Sequence, residues 1–278
     1  MQSATSVAAS RWQLPPVLIV GAHRSGTTAT THALEILGLQ TGQRLDSHHE
    51  SKVLQRLHET YLQGVGAAWH RPGPFLEWVN TPEGGADCVE YLRQHMRHEF
   101  RRVFGYRNTP RGLGSQARIK LGAAWGWKEP RTTLFAPFWL QIFPDAHVVE
   151  VIRHPLAVAM SIRQRELEFR AGGDPATPQL EQLDYCLRLA LTYVEAGERL
   201  ARLTPNYRRI RFEEIQANPP RTLADLAGFC GLRPTGARIA KSAASIRPER
   251  APEWQSLPGE TVRELLNNHP MVGKLGYR

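Results

Sequence analysis

Pro16-Val-Leu-Ile-Val-Gly21-Ala-His-Arg24-Ser25-Gly26-Thr27-Thr28 is the stretch that decides the fold. Four apolar residues, three of them β-branched, run into a turn framed by two glycines. The chain continues through Ala29–Leu37 in a helical pattern that Gly38 stops. Strand, tight turn and helix N-terminus together present several backbone N–H groups to a phosphate. The spacing follows G-x-x-x-x-G-K-[ST], except that Thr27 stands in the lysine position. Where a triphosphate is bound, that lysine lies on its β- and γ-phosphates. A loop that keeps the cradle and drops the lysine points to a phosphate, but away from a triphosphate.

Composition narrows the partners. A net charge of +9, from 35 basic against 26 acidic residues, favours anionic ligands. The arginines fall in many short groups (Arg101-Arg102, Arg163 and Arg165, Arg208-Arg209-Arg211) rather than in one tail. That distribution suits a small polyanion better than nucleic acid. Cys88, Cys186 and Cys230 show no C-x-x-C spacing and read as reduced thiols. Met1–Gln13 is polar, no signal peptide is evident, and nothing approaches the roughly 18 apolar residues of a membrane span. A cytoplasmic location is therefore expected.

The 278 residues suit one α/β domain over 1–278, with 1–14 as a flexible tail and about 40–120 as an insertion into the core. Val17–Val20, His147–Ile152 and Arg209–Phe212 read as strands. Helical patterns cover Ser25–Leu37, Ser51–Gln63, Ala86–Phe104, Pro155–Phe169, Leu180–Leu203, Pro220–Cys230 and Glu260–Asn267. Residues 64–85, 105–116 and 171–179 are rich in glycine and proline and read as loops, the second of them mobile. Strands alternating with helices imply a parallel sheet covered on both faces.

A second stretch carries chemistry: Val148-Val-Glu-Val-Ile-Arg153-His154-Pro155, followed by Ser161 and Arg165. Arg153 ends a buried strand, where open α/β sheets bind ligands. Ser161 lies about two turns into the next helix, and Arg165 at i+4 shares its face. The three side chains make a candidate second phosphate site.

The two stretches together, GAHRSGTT and RHP-x5-S, resemble the paired phosphate-binding loops of sulfotransferases that use 3′-phosphoadenosine 5′-phosphosulfate (PAPS). Trp125-Gly-Trp127-Lys128-Glu129-Pro130-Arg131 is similar to the W-G-W-K-[DE]-P-R segment of bacterial members. Ile210–Ile215 resembles their Y-E-D-L segment. Met271–Tyr277 is similar to the L-G-Y ending seen also in tyrosylprotein sulfotransferases. The likeness runs nearly end to end and is weakest over 60–120. It implies a P-loop NTPase-like fold, with a central parallel sheet flanked by helices. It also implies PAPS as co-substrate, 3′-phosphoadenosine 5′-phosphate (PAP) as product, and no required metal.

By that resemblance Arg24, Ser25, Gly26, Thr27 and Thr28 hold the 5′-phosphosulfate, and Arg153, Ser161 and Arg165 the 3′-phosphate. The resemblance also makes Lys128 the cation on the leaving oxygen. A transferred sulfuryl group carries less charge than a phosphoryl, so positioned donors can suffice. Glu50 is the candidate general base, with His48 and His49 as open alternatives and Glu35 as a weaker one. His95 and His98 stand at H-x-x-H spacing but lack a third ligand, so no metal site is expected. Tyr193 or Trp12 is a candidate to stack on adenine. Trp69, Trp78 and the arginines hint at a small-molecule or glycan acceptor. A P-loop small-molecule kinase and a non-catalytic nucleotide or polyanion binder remain the competing readings, and oligomeric state stays open.

Overall fold

The computed structural model describes residues 14–42, 45–46, 48–104 (backbone only for 97–104), 117–119, 121–173, 177–248 and 253–277. Residues 1–13 of the expected tail, Trp12 among them, lie outside the described residues. So do the 105–116 loop, residues 174–176 and the His98 side chain.

In chain order the elements are β1 (Val17–Val20), α1 (Thr27–Leu37), α2 (Lys52–Gly64), α3 (Gly73–Val79), α4 (Pro82–Phe104) and β2 (Gly126–Lys128). There follow α5 (Thr132–Ile142), β3 (His147–Ile152), α6 (Pro155–Ala171), α7 (Leu183–Leu200), β4 (Tyr207–Arg211) and α8 (Phe212–Ala217). The C-terminal part adds α9 (Pro219–Phe229), α10 (Gly236–Ala244), α11 (Gly259–Asn268) and α12 (Met271–Lys274). The four strands form one parallel sheet in the order β2-β1-β3-β4, with Ile19 opposite Lys128 and Val20 opposite Glu150.

Alternation along β1 divides the core. Val17 and Ile19 pack with Leu34 and Leu37 of α1 and Leu223 and Leu226 of α9. Leu18 and Val20 face the other way, toward Trp127, Phe135 and Trp139, in a cluster that also takes in Leu54, Phe75 and Leu92 from α2, α3 and α4. Burial on both faces explains why β1 reads as an unbroken apolar run. The sheet is the P-loop NTPase-like architecture expected, and its four carboxyl ends converge on one edge.

The structure differs from the sequence reading at several elements. Residues 64–85 are not simply loop: they hold α3 and the start of α4. Pro74 and Pro82 open those helices, where the missing N–H costs nothing. Gly84 lets α4 close onto the Trp78 carbonyl rather than breaking the chain. The long pattern Leu180–Leu203 splits into a 3₁₀ turn, Pro178–Glu181, and α7. Strand β2 is only three residues long, too short to show a period, and α5 carries Pro137 inside an almost wholly buried helix. Strand β4 ends one residue before Phe212, which instead opens α8.

Gly21 has φ 143°, and a Cβ there would run into the Val151 carbonyl on β3. Gly21→Ala is therefore expected to lose about 1–3 kcal/mol from backbone strain alone. Urea denaturation checks this, and an unchanged midpoint would contradict the packing described.

Candidate active site

The loop between β1 and α1 is built by unusual backbone. Gly21, Arg24 and Gly26 all have positive φ, and Gly26 lies flat against the Phe212 ring, where a Cβ has no room. This turn aims the first N–H groups of α1 into an open cleft, and no side chain caps them. The Ser25 Oγ beside them is buried and has no hydrogen-bond partner among the described residues. Orphan donors, a positive helix end and a glycine-lined approach fit an anionic group such as a phosphosulfate.

Lys128 closes the loop from below. It leaves the end of β2, is 1% exposed, and its Nζ donates to Thr28 Oγ1 (3.0 Å), the His48 carbonyl (2.6 Å) and Glu50 Oε1 (3.0 Å). Three acceptors around one nitrogen is the coordination of an ammonium. Burial pulls the Lys128 pKa down while Glu50 opposes that pull. Burial likewise raises the Glu50 carboxyl, and Lys128 opposes it. The pair holds two desolvated groups, a base that binds protons more readily than usual beside a cation that releases them more readily.

A second group of cations faces the first across the cleft. Arg24 Nε donates to Ser161 Oγ at 2.9 Å, which ties the loop to α6. The Arg24 pKa is lowered first by burial, then by Arg165 and Arg153, so the three guanidiniums repel one another. The cleft holds about 620 Å³ and is lined by Thr27, Thr28, Glu50, Arg153, Ser161 and Arg165, among others.

Behind Lys128 lies a buried polar network. His58 Nδ1 and Glu129 Oε2 are 2.6 Å apart, and Arg131 donates to Glu129 (2.5 Å) and Glu59 (2.6 Å). The Trp139 indole N–H donates to His58 Nε2 (3.1 Å), so the proton of a neutral His58 sits on Nδ1 and points at Glu129. Burial pushes the Glu129 carboxyl up, yet Arg131 and the His58 hydrogen bond outweigh it and hold it well below the carboxylate range. On the other flank the C-terminal segment braces the Arg153 turn. His154 stacks on Trp254 (4.3 Å), its backbone N–H donates to Glu213 (2.8 Å), and the Tyr277 hydroxyl donates to the same carboxylate (3.1 Å). Burial lowers His154 to about 4.

Every candidate donor-site residue named from sequence lines this one cleft, with two exceptions: Ser25 sits in the loop wall and Lys128 in the floor beneath Glu50. The alternatives for the base separate in space. Glu50 meets Lys128, the exposed His48 offers its carbonyl to Lys128, and the His49 imidazole turns to Glu35, 2.8 Å away. Tyr193 is core: it is 1% exposed and its hydroxyl donates to the Trp69 carbonyl. Sequence reasoning missed His23, a buried lining residue whose Nε2 has no partner among the described residues, and Phe212, Gln216 and Arg247, which also line the cleft. The glycine-to-aromatic contact of Gly26 and Phe212 had no signal in a single sequence.

A family model described as the sulfotransferase family matches residues 15–235. The sulfotransferase domain from the curacin biosynthetic pathway is similar in fold, at 17% identity and TM-score 0.53, covering 95% of this chain and 99% of that one. The sulfotransferase domain from the Synechococcus PCC 7002 olefin synthase is similar to the same degree, at 16% identity and TM-score 0.53, with 95% of each chain covered. No curated protein matches the chain.

Removing Glu129 leaves the buried His58 Nδ1–H without its acceptor and Arg131 with only the more exposed Glu59. Glu129→Ala is expected to cost about 3–5 kcal/mol of stability. Chemical denaturation measures it, and a loss under about 1 kcal/mol, the scale of an exposed pair, would contradict the network.

Proposed function

The chain belongs to the sulfotransferase family, and on that premise we propose that it transfers the sulfuryl group of PAPS to a hydroxyl or amine of an acceptor lodged beside Glu50. One observation carries the reading: the N-terminus of α1, the Lys128 ammonium and the Glu50 carboxylate meet within hydrogen-bond distance. The donor supplies the sulfuryl group and a phosphate leaving group. Loop N–H groups, Ser25 and the Thr27 and Thr28 hydroxyls bind its 5′ end. Arg153, Ser161 and Arg165 bind the 3′-phosphate, and Arg24 bridges the two ends through Ser161.

Glu50 takes the proton of the acceptor as that atom attacks sulfur. The sulfur–oxygen bond to the leaving phosphate breaks, and its electron pair stays on the former bridging oxygen. Lys128 and the loop donors stabilise the charge that develops there. Lys128 thus does from β2 what a loop lysine does in a triphosphate-binding protein. Entry of the acceptor replaces part of the Lys128–Glu50 contact, which frees the carboxylate for proton transfer.

The acceptor approaches over His48, His49 and His32, which line the same cleft. A small-molecule or glycan acceptor fits a cleft of this size, while none of the described helices is long and apolar enough to cross a membrane. The three buried thiols, Cys88, Cys186 and Cys230, suit a reducing compartment such as the cytoplasm.

Transfer of labelled sulfate from PAPS to a panel of sugars, phenols, amines and lipids tests the reading. Glu50→Gln is expected to lower kcat by roughly 10²–10⁴-fold with the donor KM nearly unchanged. Full activity in that variant would remove Glu50 as the base. Lys128→Ala is expected to lower kcat by about 10²–10³-fold, and wild-type turnover would place the leaving-group cation elsewhere. The pH profile follows in sign. The rate rises as Glu50 loses its proton, above the usual carboxylate range, and falls as Lys128 loses its own, below the usual lysine range.

A further inference from the structure

Three ligand-type side chains converge beside the acceptor end of the cleft; two of them flank the acceptor's approach, and none takes a proton or stabilises charge in the transfer step above. His32 and Glu35 stand at i and i+3 on α1. His49 reaches them from the segment before α2, on a backbone with φ 57°. Their ligand atoms all lie within 4.8 Å of one another, and the two imidazole rings are 5.0 Å apart. His49 Nδ1 is 2.8 Å from Glu35 Oε2, yet it forms no hydrogen bond there. His32 Nδ1 is 3.8 Å from the same oxygen. Two nitrogens thus flank one carboxylate oxygen, none of them aligned on another. The second oxygen, Glu35 Oε1, accepts from the Thr41 hydroxyl, which fixes the carboxylate with Oε2 toward the imidazoles.

We propose that His32, Glu35 and His49 bind a divalent transition ion of borderline softness, Zn²⁺ in the first place. Two imidazoles and one carboxylate suit zinc, whereas calcium and magnesium favour all-oxygen sets. Ligand distances of about 2.1 Å need only a small rotation of His32, whose side chain is 48% exposed. Thr41 acts as the outer partner that orients the carboxylate. Both histidines line the cleft, so the remaining coordination positions open toward it. The ion clamps the segment that carries the His48 carbonyl and Glu50 against α1. It regulates the order of that segment and is separate from sulfuryl transfer.

The test is titration of Co²⁺, as a spectroscopic stand-in for Zn²⁺, into the full chain stripped with chelator. One saturable equivalent with visible d–d absorption, displaced by Zn²⁺, is expected. His32→Ala is the deciding variant, since an exposed side chain can be removed without unfolding the chain. It should weaken binding by more than tenfold, while His95→Ala leaves binding unchanged. Thr41→Val should weaken it by roughly 10–100-fold. Zn²⁺ should also slow hydrogen exchange of the amides around 48–51 in the wild type and not in His32→Ala. Absence of saturable binding, or wild-type affinity in His32→Ala, would overturn the site, whether or not sulfate transfer is observed. Unchanged exchange would overturn the clamp.

Discussion

The arrangement depends on one buried ammonium. Lys128 Nζ has almost no contact with solvent, and its three acceptors come from two segments distant in sequence: α1 through Thr28, and the stretch before α2 through His48 and Glu50. A desolvated lysine without partners would lose its proton. The lysine therefore requires that α1 and the 48–50 stretch be held where they are. The requirement also runs the other way. Glu50 stays poised beside a cation only while β2 registers Lys128 against Ile19. The Glu129–His58–Arg131 network secures the next residue of the chain, so the position of Lys128 is set from both the sheet and the α2 side.

The opposite wall gathers three guanidiniums around the Arg24–Ser161 hydrogen bond. Arg24, Arg153 and Arg165 line one cleft, and the Arg24 pKa is lowered first by burial and then by the two neighbouring guanidiniums, with Glu168 opposing. In the proposed donor site an anion would offset both the burial and the repulsion of these guanidiniums. Arg24 spans the two ends of the cleft through Ser161, and α6 positions both Ser161 and Arg165 from a start fixed by Pro155 and the His154 cap.

Much of this was legible in the sequence because the strands that bear the site are fully buried and their turns carry glycine or proline. Val17–Val20 announces itself as an apolar run and His147–Ile152 as a valine-rich one, and the loop and Arg153 follow directly from them. Strand β2 did not, because three residues show no period; Lys128 was found through its neighbours in the motif. The α3 helix was hidden because Pro74 at a helix start looks the same in sequence as proline in a loop. Phe212 was placed on a strand, while its real role is to cover Gly26. Such a contact links positions nearly two hundred residues apart and leaves no trace in local composition. The separation of Glu50 from His49 also depended on three dimensions, since adjacent residues on a turned backbone point to different partners.

In the proposed reaction a cradle without its lysine, completed by Lys128, holds a phosphosulfate donor. Calorimetric titration of the intact chain with 3′-phosphoadenosine 5′-phosphate, and separately with ATP and Mg²⁺, tests it most directly. One-to-one binding of the first is expected, with stabilisation of about 2.7 kcal/mol at a hundred times its Kd. Binding of ATP with Mg²⁺ and no response to 3′-phosphoadenosine 5′-phosphate would contradict it.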